Sequence, residues 1–230
     1  MINFGGPQKL NRCDSLASGQ QFRSAWVSGL QTSCLEVESD TPAQLIVASL
    51  RPVHAGPLLG VSGRELAGRV VSLDEVIARK ADELATWLRE SPSVVGRFLL
   101  FEDLLRERLR RSRRPPHPAV CRAVRALIAT AGQSPVRRLR GQFGCSPRYL
   151  ESRVSEETGL TPKQLARLLR FSRAVDEIRT RPAVDWRLIA HACGYYDQPH
   201  FNHDFRLFTG VTPTEFLASR DPSTQAMLVD

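Results

Sequence analysis

The chain lacks the signatures of the common enzyme classes. It has no GxSxG, no phosphate-binding P-loop, no GxGxxG followed by an acid, and no cluster of catalytic carboxylates. Its serines, histidines and aspartates are dispersed, so no acyl, phosphoryl or hydride transfer has visible machinery, and no enzyme is expected. Cysteine is sparse: Cys13, Cys34, Cys121, Cys145 and Cys193 are odd in number and scattered, with no CxxC or Cys/His spacing for zinc. His200 and His203 form a His-x-x-His pair without a third ligand nearby, so neither a metal nor another cofactor is expected. Free thiols in a reducing compartment are the plain reading, with Cys145 and Cys193 as small apolar filler near turns. No apolar run approaches the ~18 residues a membrane span needs. No basic-then-apolar leader opens the chain. These absences predict a soluble, cytoplasmic protein with no membrane partner.

What is present is arginine. Over 230 residues the net charge is +8 and the isoelectric point about 9.8, with arginine dominating lysine. The length suits one large or two small domains. The charge favours an anionic partner, nucleic acid ahead of a membrane surface.

The most informative stretch runs from Gly194 to Leu217. Before it, Val184–Cys193 reads as a short amphipathic helix, and Gly194 supplies a turn that few other residues tolerate. Asp197 is a good N-cap, and Pro199 falls in the first turn, where a missing N–H does no harm. Phe201, Phe205 and Phe208 recur at helical spacing as one apolar face. Gln198, Asn202, His203 and Arg206 lie on the other side and suit base edges or phosphates. Helix, glycine turn, then a helix with one apolar and one polar face is helix-turn-helix logic. A solvated surface helix fits this one segment equally well.

An internal repeat breaks the tie. Thr158-Gly-Leu-Thr-Pro162 returns as Thr209-Gly-Val-Thr-Pro213. Carried backwards, the same offset sets Leu150 on Phe201 and Val154 on Phe205. Gly144 then matches Gly194, and Leu139 matches Ile189, with the offset shortened by one. Repetition of sequence and apolar register implies two copies of one unit.

With these residues the chain resembles the AraC/XylS-type transcription regulators. The resemblance rests on Gly194–Leu217, on the two Thr-Gly-(Leu/Val)-Thr-Pro junctions and on Arg170-Phe-Ser-Arg-Ala174 between them. It covers roughly Pro118–Ser219. It implies a mainly α chain with a small β-rich N-terminal part, ending in a seven-helix domain in which a long helix joins two helix-turn-helix motifs. The implied function is sequence-specific transcription regulation, with activation the commoner behaviour. Double-stranded DNA is the implied partner; contact with RNA polymerase, a homodimer and an unknown small-molecule effector go with the family. The family's base-facing positions fall on Arg148, Glu151, Ser152 and Ser155 in the first copy and on Gln198, His200, Asn202 and His203 in the second. Arg148 suits a guanine, Gln198 or Asn202 an adenine, and Glu151 a cytosine amino group. Arg170 and Arg206 are phosphate-contact or support residues, and Arg170 could instead brace the two subdomains.

The rest of the chain divides into a partial β-rich, sensor-like domain (1–73), a helical connector (74–114), the double helix-turn-helix domain (119–220) and a tail (221–230). Ile2–Phe4, Phe22–Val27, Leu35–Val37 and Gln44–Leu50 read as strands, the last as one buried on both faces. The layout looks like the later part of an AraC-type sensor whose first strands are absent. Val53–Leu59 and Gly63–Leu66 are short helical pieces. Leu73–Glu90 and Val94–Leu109 are apolar-faced helices suited to a hairpin that packs on the strands or on a second subunit. Arg106–Arg114 running into Pro115–Pro118 marks a linker.

In the C-terminal part, Ala119–Ala131 and Pro135–Phe143 read as helices. Ser146 caps the next, with Pro147 at its first position. Thr161-Pro-Lys-Gln164 opens a long helix to about Thr180, and Thr212-Pro-Thr-Glu215 a short closing one. Arg140 stands where the second copy has Ala190, Gly141 follows it, and three acids (Glu151, Glu156, Glu157) lie along the first recognition helix. The second copy should therefore make the better-defined contacts. The alternative reading is a protein-interaction or anti-regulator chain with vestigial DNA binding. A third is architectural binding without sequence preference.

Overall fold

The computed structural model describes residues 1–13, 19–77, 81–135, 146–181 and 184–218. The chain forms two compact units, one holding almost all of residues 1–116 and the other almost all of residues 117–218.

The first unit opens with six short strands: β1 (Ile2–Asn3), β2 (Gln8–Arg12), β3 (Gln20–Phe22), β4 (Trp26–Ser28), β5 (Leu35–Ser39) and β6 (Leu45–Ile46). Two short helices, α1 (Pro52–Leu59) and α2 (Gly63–Leu66), lead to β7 (Val70–Ser72). All pairings are antiparallel: β1 with β6, β2 between β3 and β5, and β4 with β7. The helices α3 (Leu73–Val76), α4 (Ala81–Arg89) and α5 (Val94–Arg111) follow. Their Leu73, Leu84, Leu88 and Phe101 join Ile2, Ile46, Leu58 and Val71 in one apolar core. The connector helices thus complete the core of the first unit. A smaller cluster gathers Leu10, Phe22 and Trp26, with the two rings 5.6 Å apart.

Several expectations are corrected here. Gln44–Leu50 is not a strand buried on both faces: only Leu45–Ile46 pairs, antiparallel and with β1 alone, and Val47 is exposed. A continuous apolar run suits a parallel interior strand, and the described sheets contain no parallel pair. Phe22–Val27 splits between β3 and β4, which belong to different sheets. Leu73–Glu90 is not one helix: Ile77 leaves helical geometry at φ −131°, and α4 begins at Ala81. Nor are all the cysteines thiols, since Cys13 and Cys34 are disulfide-bonded while Cys121 and Cys193 are not. The register supplies the reason. Arg12 faces Leu35 across the β2–β5 ladder, so the cysteines just beyond that pair fall opposite each other. Burial pushes the Cys193 thiol up to about 11, which leaves it inert.

The first two turns of α5 carry Val94, Val95, Phe98 and Leu99 at half or more of full exposure. That face has no partner within the described residues of its own unit. At the other end of α5, a cavity of about 510 Å³ is lined by Leu58, Leu104, Glu107, Arg108 and Arg111 among others.

The second unit consists of α6 (Pro118–Ala129), α7 (Pro147–Thr158), α8 (Pro162–Thr180), α9 (Trp186–Ala192), α10 (Gln198–Thr209) and α11 (Pro213–Ala218). The expected helix over 135–143, with Arg140, Gly141, Gly144 and Cys145, lies outside the described residues. The 19-residue α8 is the spine: Leu165, Leu169, Val175 and Ile178 are buried, and α6, α9 and α10 all pack on it. Both copies punctuate their helices alike. Gly159 and Gly210 end α7 and α10 with left-handed φ of 82° and 78°. Thr161 and Gln164 then form a reciprocal capping box at 2.9 and 3.2 Å, and Thr212 and Glu215 another at 2.7 and 3.3 Å. The Thr212 backbone N–H, followed by its hydroxyl, holds the Glu215 carboxyl below its ordinary 4.5. Among the described residues no helix is long and apolar enough to cross a membrane.

A Cβ added at Gly210 would meet nothing within 4 Å, whereas one at Gly194 (φ 76°) would press on Gln133 Cγ at 2.8 Å. Gly210→Ala should therefore show left-handed backbone strain alone, about 1 kcal/mol in urea unfolding. Gly194→Ala should cost more, because Gln133 must also move. Equal losses would remove the packing role assigned to Gly194.

Candidate nucleic-acid interface

The site is built on α10 and on the turn that delivers it. Asp185 caps α9 by accepting from the Arg187 and Leu188 N–H groups at 2.9 and 3.2 Å. The α9 chain closes with Gly194 N–H donating to His191 O at 3.0 Å and Tyr195 N–H to Ala190 O at 2.9 Å. Gln133 Nε2 donates to Ala192 O at 2.8 Å, which ties this turn to the α6 side of the unit. The Asp197 carboxylate accepts from His200 N–H at 2.8 Å, and Pro199 occupies the first turn of α10 as expected.

One side of α10 is sealed. Phe201 and Phe205 are fully buried and Phe208 nearly so. Phe171 of α8 stacks on Phe208 at 4.6 Å and meets Phe205 edge-on at 5.4 Å. Phe201 is ringed by Phe205, Tyr195 and Trp186 at 5.5, 5.3 and 6.3 Å. With this face fixed, a helix turning about 100° per residue has its outward arc determined. Arg206 and His203 lie in that arc and are exposed; Asn202 borders it and is half-buried, and Gln198, also half-buried, lies about 20° round the helix from Phe205. His200 is exposed but lies about 160° round the helix from Asn202. There its ring meets Tyr195 edge-on at 5.3 Å, and its Nε2 stands 3.9 Å from Asp204 Oδ2. The structure thus groups Asn202, His203 and Arg206 on the outward side, with His200 on one flank and Gln198 on the other, close to the angle of Phe205.

The first copy is built likewise. Ser146 caps α7 by accepting from Tyr149 N–H at 3.2 Å, and Leu150 and Val154 are buried. Arg148, Glu151 and Ser152 are exposed on the opposite side. Ser155, expected to turn outward with them, is 9% exposed. It shares their angular sector, and Thr158 and Leu160, further along the chain, are buried too.

Arg170 supports the fold. Its Nη1 donates to Gly132 O at 3.0 Å, and its guanidinium lies 5.6 Å over the Tyr195 ring. It braces α8 against the end of α6 and the glycine turn of the second copy.

Two features escaped the sequence reading. Tyr196, beside the N-cap of α10, is 91% exposed. Asp204, on the inward side of α10, is 2% exposed and grips Arg167 of α8. Arg167 Nη2 donates to Oδ1 at 2.7 Å and Nε to Oδ2 at 3.2 Å, a bidentate charge-assisted pair. The guanidinium also lies 5.9 Å over Phe208. The hydrogen bond to Asp204 raises the Arg167 pKa above its usual value. An acid at i+3 from Phe201, inside the phenylalanine stripe, was the available signal.

Residues 139–219 match the family model of a helix-turn-helix domain. The transcriptional activator RhaS of Escherichia fergusonii is 34% identical over 84 residues, covering 36% of this chain and 30% of RhaS. The chain therefore matches under a third of that relative's length. The solved structure of ToxT from Vibrio cholerae aligns over 94% of this chain and 88% of its own, with a TM-score of 0.51 and 13% identity. ToxT bound to (E)-4-(8-methylnaphthalen-1-yl)but-3-enoic acid aligns equally well, at 14% identity. The ToxT likeness is one of fold.

Arg167→Ala leaves the Asp204 carboxylate buried without its cation. It should destabilise the second unit by about 2–4 kcal/mol, somewhat under the full cost of breaking a buried pair because Arg167 is itself partly exposed. Chemical unfolding followed at 280 nm measures it. A loss below about 0.5 kcal/mol would place the pair in the class of screened surface bridges.

Proposed function

With its C-terminal part a helix-turn-helix domain of the AraC/XylS type, we propose that the chain is a sequence-specific DNA-binding transcription regulator, acting through α7 and α10 in successive major grooves. The observation that carries this is the outward side of α10, where His203 and Arg206 are exposed and Asn202 is half-buried beside them, away from a sealed aromatic face. α7 repeats the design with Arg148, Glu151 and Ser152. The 19 residues of α8 span about 28 Å. Adding the width of the flanking motifs brings the two helices to about one DNA turn, 34 Å.

The roles follow from chemistry. Asn202 or Gln198 offers a donor and an acceptor to an adenine edge, and Arg148 a fork to guanine. Arg206 and the exposed Tyr196 are suited to phosphate oxygens, which fix register without reading sequence. His200, at the flank, is better placed toward the groove wall than toward the bases read by Asn202.

Two extensions belong to the first unit. The exposed Val94–Leu99 face of α5 is the surface we assign to a second copy, since a two-fold axis sets one patch against itself. Phe98→Asp should then shift the sedimentation coefficient to that of the monomer. A small effector with an apolar body and an acidic group suits the cavity beside Leu58, Leu104 and Arg108, the chemistry of the acid bound to ToxT. A rise in unfolding midpoint with such an acid tests it.

Asn202→Ala should weaken specific binding by about 1–3 kcal/mol, whereas Ser155→Ala should change it by under 0.5. Both are read by titration at one fixed salt concentration. Equal losses would contradict the assignment of the outward arcs. Arg206→Ala should weaken all sequences alike and lower the salt slope by about one.

A further inference from the structure

The Arg167–Asp204 pair offers more than stability. We propose that Asp204 is the positioning residue of the second recognition helix: through Arg167 it sets the rotation of α10 about its own axis, and so selects which side chains face the bases. The inference rests on the reading of α10 as the DNA-facing helix.

The aromatic cluster decides which side of α10 is buried; the ion pair holds that rotation to a narrower angle. Phe171, Phe201, Phe205 and Phe208 meet at centroid distances of 4.6 to 5.5 Å in stacked and edge-on pairs. Such contacts favour stacked and edge-on geometries over a range of centroid distances, so they admit small slips. A bidentate guanidinium–carboxylate pair is planar and directional. Here its two bonds of 2.7 and 3.2 Å join the second turn of α8 to the middle of α10. Arg167 is held in turn by the Phe208 ring beneath it.

The geometry makes rotation costly for recognition. Side chains reach about 5–6 Å from a helix axis, so a 20° rotation moves them by about 2 Å. Good hydrogen bonds occupy a window of about 0.5 Å. A slip small enough for the phenylalanines to tolerate would take Asn202 and Gln198 out of bonding distance of any base edge.

The same carboxylate governs the flank of the helix. Tyr195, Arg167 and His200 surround it: His200 Nε2 is 3.9 Å from Oδ2, and Tyr195 is 4% exposed with a hydroxyl that has no hydrogen-bond partner among the described residues. Asp204 therefore lies beside His200 on one side and anchors α10 through Arg167 on the other.

The test separates positioning from stability. The double variant Arg167→Met, Asp204→Leu replaces the pair by apolar groups of similar volume, an exchange that buried pairs often tolerate. Its unfolding midpoint should stay within a few degrees of the parent. Its preference for a selected DNA site over unrelated DNA should fall at least tenfold, with nonspecific affinity and salt slope unchanged. Amide hydrogen exchange without DNA should show α10 losing protection relative to α8. Arg167→Lys, which keeps the charge but not the fork, should fall between the two and serves if the double variant does not fold. Retained site preference in a folded variant, or α10 protection equal to the parent, overturns the proposal. If the parent protein shows no site preference, the DNA-reading function fails on its own account and the exchange measurement decides the positioning role.

Discussion

The inward face of α10 is where the second unit is most tightly constrained. Phe201 and Phe205 are closed off from solvent by Phe171 from α8, Tyr195 from the turn and Trp186 from α9, while Phe216 from α11 meets Phe205 at 5.3 Å. Removing one such ring from a filled core costs about 3–5 kcal/mol, a large share of a small domain's stability. Four elements thus depend on one cluster for their burial, and the cluster decides which residues of α10 can reach a partner. The polar arc is exposed because the aromatic arc is spoken for.

That dependence explains how the glycine turn and the caps cooperate. Gly194 brings the chain round with φ 76°, and Asp197 then fixes the first turn of α10. Gln133 packs under Gly194 and holds Ala192 O, while Arg170 reaches from α8 to Gly132 O and over Tyr195. The turn is therefore held from α6, α8 and α9 at once. A surface helix with a solvated polar face would require none of this apparatus. The arrangement fixes the inward face of α10 and leaves His203 and Arg206 turned to solvent.

Much of the second unit was legible in the sequence because its signals are local. Asp197, Thr161 with Gln164, and Thr212 with Glu215 each announce a helix start within four residues, and Gly159 and Gly210 close the preceding helices. The phenylalanine stripe declared its own face. The Arg167–Asp204 pair was not legible, because 37 residues separate its members and only tertiary packing brings them together. The strands resisted for another reason. β2 is Gln-Lys-Leu-Asn-Arg, whose polar residues hide a strand buried at Gln8 and Leu10, and β1 and β6 are two residues each. Nor could spacing alone reveal that Cys13 and Cys34 bond, since their pairing follows from the β2–β5 register.

The central claim is that one chain carries two base-reading helices about a DNA turn apart. Selection of genomic DNA fragments by the purified protein at physiological salt tests it most directly. The account expects a recurrent site of two short boxes whose centres lie about 10 base pairs apart. Enriched fragments with no shared sequence, released together as salt rises, would contradict it and point to binding through phosphates alone. The absence of any enrichment would contradict it more fully and return attention to a protein partner.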